Sequence, residues 1–347
     1  MFKIQVWDIT TKTAQYSFVH KESIHALDVS KDGRLLASGD GCGTTKLWNM
    51  ERGVKKKELK TVDARINCVK ISPDSCFVAA GGNRGSACVW GLKRKNAQKR
   101  TLHHGGEVES IAFSSNGKYL VTGGGDSLRL WDLDADECHS EIENSRHGFK
   151  FLSVCMTPDD RWIAAASMDG SIRFWDYTMG KSHYIFNAHK NAIRSIAFSP
   201  HGGYFATASD DGTVRIWSYE GRSLRHKLDS VCSAAFSSDS KYLVTAAKHT
   251  LKLWEMDTGV CLSDIRDDEL VFLSVSMTPD DRWIATTLND GSIRFWDRTT
   301  GKSHCIFHAH RCYIIDEIVF SPHGGYFATA SDSGIVRIWS YGPHRTP

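Results

Sequence analysis

The chain has 347 residues, of which 41% are hydrophobic and 24% charged, and its formal net charge is +3. This composition is too apolar for a disordered protein and gives the chain as a whole no polybasic character. No apolar stretch reaches the roughly 20 residues of a membrane-spanning helix, and the first residues lack the apolar run of a secretory signal. The ten cysteines stand singly, which favours free thiols in a reducing compartment. We therefore expect an intracellular protein that is neither secreted nor bound to a membrane.

Tryptophan recurs along the chain at intervals of 37 to 44 residues. In chain order the series is Trp7, Trp48, Trp90, Trp131, Trp175, Trp217, Trp254, Trp296 and Trp339. A period in the low forties, with Gly-rich turns and short alternating apolar runs, is the signature of a β-propeller with four strands per blade. The sequence therefore predicts an all-β fold of antiparallel blades.

The repeat that starts at Ala192 shows how each blade is built. Its segments SIAF, YFATAS and TVRIW alternate apolar with small or polar residues, and turn formers separate them. These segments predict three strands, followed by a weaker outer fourth. The Trp of the third strand is expected to fill the gap between adjacent blades as a core residue.

The number of blades depends on the N-terminus. Eight complete sets of strands end at Trp48 and at each later member of the series, while residues 2–8 resemble a ninth third strand. Closure of a ring predicts that residues 14–19 pair with residues 335–339 as the outer strand of the last blade. We expect one domain over residues 1–347, with residues 1–19 closing the ring and residues 342–347 as a tail. The count favours eight blades, and seven are the alternative.

These residues resemble the WD-repeat family over essentially the whole chain. The Trp-Asp ending stands at Trp131-Asp132, Trp175-Asp176 and Trp296-Asp297, among others. The resemblance implies a buried hydrogen-bonded tetrad in a blade, formed by a turn Asp, a His, a Ser or Thr and the Trp indole. His189, Thr207, Asp211 and Trp217 fit that pattern fully. The blade that ends at Trp254 has no turn Asp, so we expect it to be the least rigid.

Two adjacent blades are duplicated within the chain. The segment FLSVCMTPDDRWIAAASMDGSIRFWD from Phe151 recurs as FLSVSMTPDDRWIATTLNDGSIRFWD from Phe272, and SPHGGYFATASD occurs at Ser199 and again at Ser321. The copies differ at the turn between the second and third strands and at the loop that enters the first strand, which share one rim. Either this rim diverges because it contacts partners, or exposed loops drift freely. The predicted partner-binding rim consists of Met168, Lys190, Asn191, Asp210, Asn289, Arg311, Tyr313 and Asp332.

The duplicated blades also resemble the propeller of the Groucho/Tup-type transcriptional co-repressors of fungi. The matching stretches are MTPDDRWIA, SIRFWDRTTGKSHCIFHAHR and SPHGGYFATAS followed by VRIWSY. The resemblance implies a non-enzymatic scaffold, a co-repressor-like adaptor without its own oligomerisation segment. It also implies nuclear or nucleocytoplasmic localisation and protein or peptide partners such as transcription factors, histone tails or other chromatin regulators. The alternative is a sensor or assembly module of a signalling NTPase system or another cytoplasmic complex.

The sequence contains no phosphate-binding loop and no Gly-x-Ser-x-Gly elbow, so we expect neither catalytic residues nor a cofactor. Cys305, His308, His310 and Cys312 have the side chains of a zinc site, but an ordinary outer strand and loop is the favoured interpretation.

Basic residues cluster at 55–60 and in KRKNAQKR at 93–100. They either protect edge strands from pairing, which we favour, or form a basic surface for an acidic partner or a nuclear import signal. Direct binding to nucleic acid is not expected.

Overall fold

The computed structural model describes residues 2–8, 13–20, 22–50, 52–61, 65–92, 99–135, 137–143, 150–176, 181–219, 223–229, 231–308, 315–320, 326–331 and 336–340. Over these ranges the ordered elements are β-strands and no helix is present. Accordingly, none of this part of the chain forms a helix that is long and apolar enough to cross a membrane.

After an N-terminal pair, the strands of the described residues follow one another in seven repeats of four and a last repeat of three. The N-terminal pair is β1 (Phe2–Asp8) and β2 (Thr13–His20). The first four repeats comprise β3 (Ile24–Val29), β4 (Leu35–Asp40), β5 (Thr44–Asn49), β6 (Val54–Lys60); β7 (Ile66–Ile71), β8 (Phe77–Gly82), β9 (Ser86–Gly91), β10 (Lys99–His103); β11 (Ser110–Phe113), β12 (Tyr119–Gly124), β13 (Ser127–Asp132), β14 (Glu137–Glu143); and β15 (Phe151–Met156), β16 (Trp162–Ser167), β17 (Ser171–Asp176), β18 (Lys181–Asn187).

The remaining repeats comprise β19 (Ile193–Phe198), β20 (Tyr204–Ser209), β21 (Thr213–Ser218), β22 (Leu224–Asp229); β23 (Val231–Phe236), β24 (Tyr242–Ala247), β25 (Thr250–Glu255), β26 (Cys261–Arg266); β27 (Phe272–Met277), β28 (Trp283–Leu288), β29 (Ser292–Asp297), β30 (Ser303–His308); and β31 (Ile315–Phe320), β32 (Tyr326–Ser331), β33 (Val336–Ser340). The last repeat shows three strands of its own, and the N-terminal pair extends its sheet.

The repeats fall into two compact units. The first unit contains residues 24–198 and 209–211, and the second contains residues 1–23, 199–208 and 212–347. Within each unit, neighbouring strands of a repeat pair antiparallel in chain order, as the register of β7, β8, β9 and β10 illustrates. The predicted all-β architecture of eight repeats is confirmed. Seven of the described sheets have four strands, and the eighth has five, with β1 parallel to β33.

The core of each unit lies between consecutive sheets. Trp90 of the second repeat, 3% exposed, packs in one cluster with Leu35 and Leu47 of the first, and Trp296 packs with Val244 and Leu251 of the preceding repeat. The expectation that the third-strand Trp fills the gap between blades therefore holds for these pairs. A bulky indole is needed there because two sheets splay apart towards their outer strands.

The sheets approach closely near their first and second strands. A Cβ on Gly81 would lie 2.4 Å from Cγ1 of Val108, and a Cβ on Gly123 would lie 2.3 Å from Cγ1 of Val154. Only glycine leaves room for the next repeat at these two positions. The small residues of the second strands thus set the spacing between the blades of this unit.

The N-terminal pairing differs from the prediction. Residues 14–19 do not pair with β33; instead β1 lies between β33 and β2, parallel to β33 with Trp7 opposite Trp339. β2 pairs antiparallel with β1, with a register shift just before Trp7. Only four residues connect β1 to β2, which favours their pairing as a hairpin.

Candidate functional site

The rim is the end of each sheet at which the first strand begins and the second strand ends. In the fourth repeat Phe151 pairs with Ser167, so Lys150 and the turn at residues 168–170 lie together. Ile24 opposite Asp40 and Ile66 opposite Gly82 give the same arrangement in the first two repeats. Loops that differ between the duplicated blades therefore come to one end of the sheet.

Four predicted rim residues lie at this end of the first unit. Met168 is 49% exposed, and its backbone N–H donates to the carbonyl of Lys150 at 2.8 Å. Lys190 and Asn191 are exposed, and the Lys190 N–H donates to Asp211 at 3.2 Å. Asp210, the fourth, follows β20. The first unit thus presents an apolar side chain and several polar ones at its rim.

Asp210 forms a two-point ion pair with Arg194. The Nε of Arg194 lies 3.0 Å from Oδ1, and its Nη2 lies 2.6 Å from Oδ2. The hydrogen bonds from Arg194 hold the pKa of Asp210 below its usual value. Both side chains remain exposed, at 59% and 43%, so the pair is a surface feature that a partner can contact. Arg194 was absent from the predicted rim, although it lies within the segment that differs between the copies.

An acidic pair lies at the rim of the third repeat. The Glu107 carboxylate accepts from Asn67 Nδ2 at 3.1 Å and lies 3.6 Å from Lys150 Nζ. Burial raises the pKa of Glu109, and the negative charge of Glu107 raises it further. These residues were also absent from the predicted rim. In the sequence, such rim residues can be recognised as charged residues that stand just before the first strand of a repeat.

Of the remaining predicted rim residues, the structure describes Asn289. Asn289 belongs to the second unit, where its side chain accepts from the Val271 N–H at 3.0 Å and its own N–H donates to the Val271 carbonyl. Asn289 therefore closes its own loop, whereas Met168 at the same position of the earlier copy is turned to solvent. Arg311, Tyr313 and Asp332 lie outside the described residues.

The structure describes two links of the predicted tetrad. His189 Nδ1 lies 3.0 Å from Asp211 Oδ2, and the Trp217 indole donates to Thr207 Oγ1 at 3.0 Å. That all four act as one network stays a prediction.

The third repeat shows a longer chain of the same kind. The Trp131 indole donates to Thr122, whose hydroxyl lies 3.0 Å from His104 Nδ1, and His104 Nε2 lies 3.0 Å from the Gly124 carbonyl. Because the Gly124 carbonyl can only accept, Nε2–H donates to it, and Nδ1 of the neutral ring therefore accepts the proton of the Thr122 hydroxyl. Burial lowers the pKa of His104, which keeps it neutral as this chain requires. A backbone carbonyl thus replaces the turn Asp in this blade.

The opposite end of the sheets is tied together by carboxylates. Asp160 accepts hydrogen bonds from the backbone and hydroxyl of Ser115 in the preceding repeat. Asp281, at the same position of the later copy, accepts from the Ser238 backbone at 2.7 Å and from its hydroxyl at 2.6 Å. The sequence TPDDRW is therefore the same in both copies because it joins neighbouring blades.

Metal binding finds no support in the described part of the chain, where no three His, Cys, Asp or Glu side chains are grouped to hold an ion. The Cys305, His308, His310 and Cys312 side chains lie outside that part.

The comparisons with known proteins agree with the repeat count. The sequence pattern of the family described as "WD domain, G-beta repeat" matches residues 12–49, 56–91, 96–132, 139–176, 180–218, 220–255, 260–297 and 301–340. A crystal structure of the computationally designed Ika8 protein superposes with a TM-score of 0.77 at 20% identity, over 98% of this chain and 100% of that one, which shows a shared fold alone.

Two curated relatives are similar over parts of the chain. Protein tipD of Dictyostelium discoideum is 26% identical over 204 residues, which are 57% of this chain and 26% of that protein. The transcriptional repressor rco-1 of Neurospora crassa is 38% identical over 87 residues, which are 24% of this chain and 14% of that protein. The chain thus spans about a quarter or less of the length of these two relatives.

Proposed function

The chain belongs to the WD40-repeat family, and from this premise we propose that it is a non-enzymatic, co-repressor-like adaptor in transcriptional regulation. WD-repeat proteins act as scaffolds for protein interactions, and the matched repeats cover nearly the whole chain. The chain's proposed partners are transcription factors, histone tails or other chromatin regulators, and its proposed localisation is nuclear or nucleocytoplasmic. Partial identity to the Neurospora repressor supports this more specific role.

The observation that carries the proposal is the contrast between the two ends of the duplicated blades. The carboxylates that join neighbouring blades are retained in both copies, while the rim changes its charge. Arg194 stands five residues before the repeated Ser-Pro, and in the later copy Asp316 stands there. An exposed ion pair contributes little to stability, so its replacement is not explained by folding. A change of charge does alter which partners a surface accepts.

The proposal is tested by capture of partners with rim variants of the full chain. Arg194→Asp gives the earlier copy the charge of the later one, and Arg311→Ala with Tyr313→Ala removes the two rim side chains that interfaces most favour. We expect each variant to capture at least about fivefold less partner than the wild type, because charge complementarity and anchor residues dominate such contacts. His201→Ala, an exposed change at the opposite end, should have no effect, and melting temperatures should stay unchanged.

Recovery of chromatin regulators, together with reduced expression from a reporter to which the chain is tethered, would support the transcriptional role. Recovery of signalling NTPases without an effect on the reporter would exclude that role in favour of the alternative. Loss of capture in His201→Ala but not in the rim variants would place the binding face at the other end.

A further inference from the structure

Positive charge is concentrated in one segment of this nearly neutral chain. Residues 52–100 carry 13 Lys and Arg against 3 Asp and Glu, whereas the rest of the chain carries 30 against 37. Part of this excess lies on two outer strands of the first unit, at Lys55, Lys56, Lys57 and Lys60 of β6 and at Lys99 and Arg100 of β10. In the strand order of the described residues, β6 and β10 are the last strands of their sheets. Each therefore combines an open edge with cationic side chains.

A cleft of about 540 Å³ lies beside β10. Its wall is formed by β10 itself and by residues of β13 and β14 in the next repeat, and its charged or titratable members are Lys99, Arg100, His103, Arg129, Cys138 and Glu141. Three cationic side chains therefore face one carboxylate. Part of the positive charge of residues 52–100 therefore lines this concave surface.

The cleft holds its guanidinium groups in place. Arg129 donates from Nε to Glu141 at 2.8 Å and from another nitrogen to the His103 carbonyl, so that it bridges β14 and β10. Arg100 donates across the cleft to the Leu133 carbonyl. An Arg has five N–H donors, and Arg129 uses three of them in these and its second Glu141 contact. Donors remain for an incoming carboxylate, and little side-chain entropy is lost when it binds.

The cleft favours a peptide over a nucleic acid. Its volume suits a few side chains and is far too small for a duplex, and its aromatic residue, Trp131, is 6% exposed and offers no face on which a base can stack. An open strand edge, in contrast, offers backbone hydrogen bonds to an extended peptide. The five residues of β10 span about 17 Å, the length of a five-residue strand.

We propose that an acidic, extended peptide segment of a partner protein binds along β10, with alternate carboxylates placed in the cleft beside Lys99, Arg100 and Arg129. The lysines that discourage β6 and β10 from pairing with a second basic edge favour pairing with an acidic one. This surface lies on outer strands and is independent of the rim, so the proposal does not rest on the proposed function.

The test measures binding of fluorescein-labelled eight-residue peptides to the full chain by anisotropy. The probe alternates Glu and Val, a second peptide has the same composition in two blocks, and a third replaces Glu by Gln. We expect the alternating peptide to bind at least about tenfold more tightly than the other two, because only it presents carboxylates on one face of a strand. Its affinity should fall as salt is raised.

Charge reversal at the cleft gives the matched comparison. Lys99→Glu should weaken binding by about tenfold or more, while Lys227→Glu on the exposed outer strand β22 should change it less than about twofold. Neither residue is buried, so both variants should keep the wild-type melting temperature. A conservative Lys99→Arg variant should bind as the wild type does.

The proposal is overturned if the alternating peptide does not bind, if the block peptide binds equally well, or if Lys99→Glu has no effect. Tighter binding of a 20-base-pair DNA duplex than of the peptide, lost in Lys99→Glu, would show that the basic edge is a nucleic-acid surface instead.

Discussion

At the scale of single residues, the duplication provides an internal comparison of one buried hydrogen bond. The Trp296 indole donates to Thr286 at 2.9 Å, whereas the Trp175 indole is buried without a partner because Ala165 stands at the corresponding position. Among the tryptophans whose side chains the structure describes, Trp175 is nevertheless the most deeply buried, at 1% exposed, and it packs edge-on against Phe151. Packing therefore outweighs a missing hydrogen bond in this blade.

Ala165→Thr should stabilise the protein by about 0.5–1.5 kcal/mol, because it supplies the acceptor that Trp175 lacks. Thr286→Ala should cost about 1–3 kcal/mol, because it leaves the Trp296 N–H buried and unpaired. Urea unfolding measures both. Ala165→Val, which has the shape of Thr without its hydroxyl, is the control, and a gain in that variant equal to that of Ala165→Thr would attribute the effect to packing.

A second comparison concerns two neighbouring carboxylates. Asp211 is largely buried and accepts from His189 and from the Lys190 backbone, so Asp211→Ala should cost about 1–3 kcal/mol in thermal unfolding. Asp210→Ala removes only an exposed ion pair and should stay within about 0.5 kcal/mol of the wild type. Equal losses in the two variants would show that Asp211 does not hold the turn to the loop.

At the scale of elements, hairpins that join a third strand to a fourth strand share one local feature. Where such a hairpin contains a register shift, the shift is at the same position. The shift falls immediately before the Trp, as at Trp48 and Trp131, and the Trp pairs with the residue seven positions later. The N-terminal pair β1 and β2 obeys the same rule, since Trp7 pairs with Ala14. In pairing as well as in sequence, β1 and β2 therefore correspond to the third and fourth strands of a blade.

Single residues also join one element to the next within a unit. Asp28 accepts from the Ile71 N–H at 2.7 Å, and the Ser110 and Ser233 hydroxyls accept from Val154 and Val275 of the following first strands. These bonds connect first strands that do not share a sheet. Together with Asp160 and Asp281, they join neighbouring blades along the first strands and at the end opposite the rim, which leaves the rim loops as the part that can change.

At the scale of the whole molecule, the position of β1 changes what truncation is expected to do. Deletion of residues 1–9 removes the strand that pairs with both β33 and β2, so it should expose a strand edge as fully as deletion of residues 1–20 does. Light scattering during size-exclusion chromatography should show comparable aggregation of both. A markedly milder effect of the shorter deletion would mean that β2 takes the edge of β33 directly and closes the last blade as first predicted from the sequence.

The sequence by itself determined the all-β class, the eight repeats and the burial of the third-strand tryptophans. These features could be predicted because the period of about 40 residues and the alternation of apolar with small or polar residues along the strands are local properties that recur in each repeat. It also located the face that differs between the duplicated blades.

Only the tertiary structure decided which side chains meet on that face. The ion pair of Arg194 with Asp210 joins the first strand of one repeat to the turn after its second strand, and the raised pKa of Glu109 depends on its burial, and a single sequence does not show either as a pattern. The place of β1 was decided in the same way. Both β1 and β2 could pair with the edge of β33, and strand propensity alone does not predict that β1 takes this position.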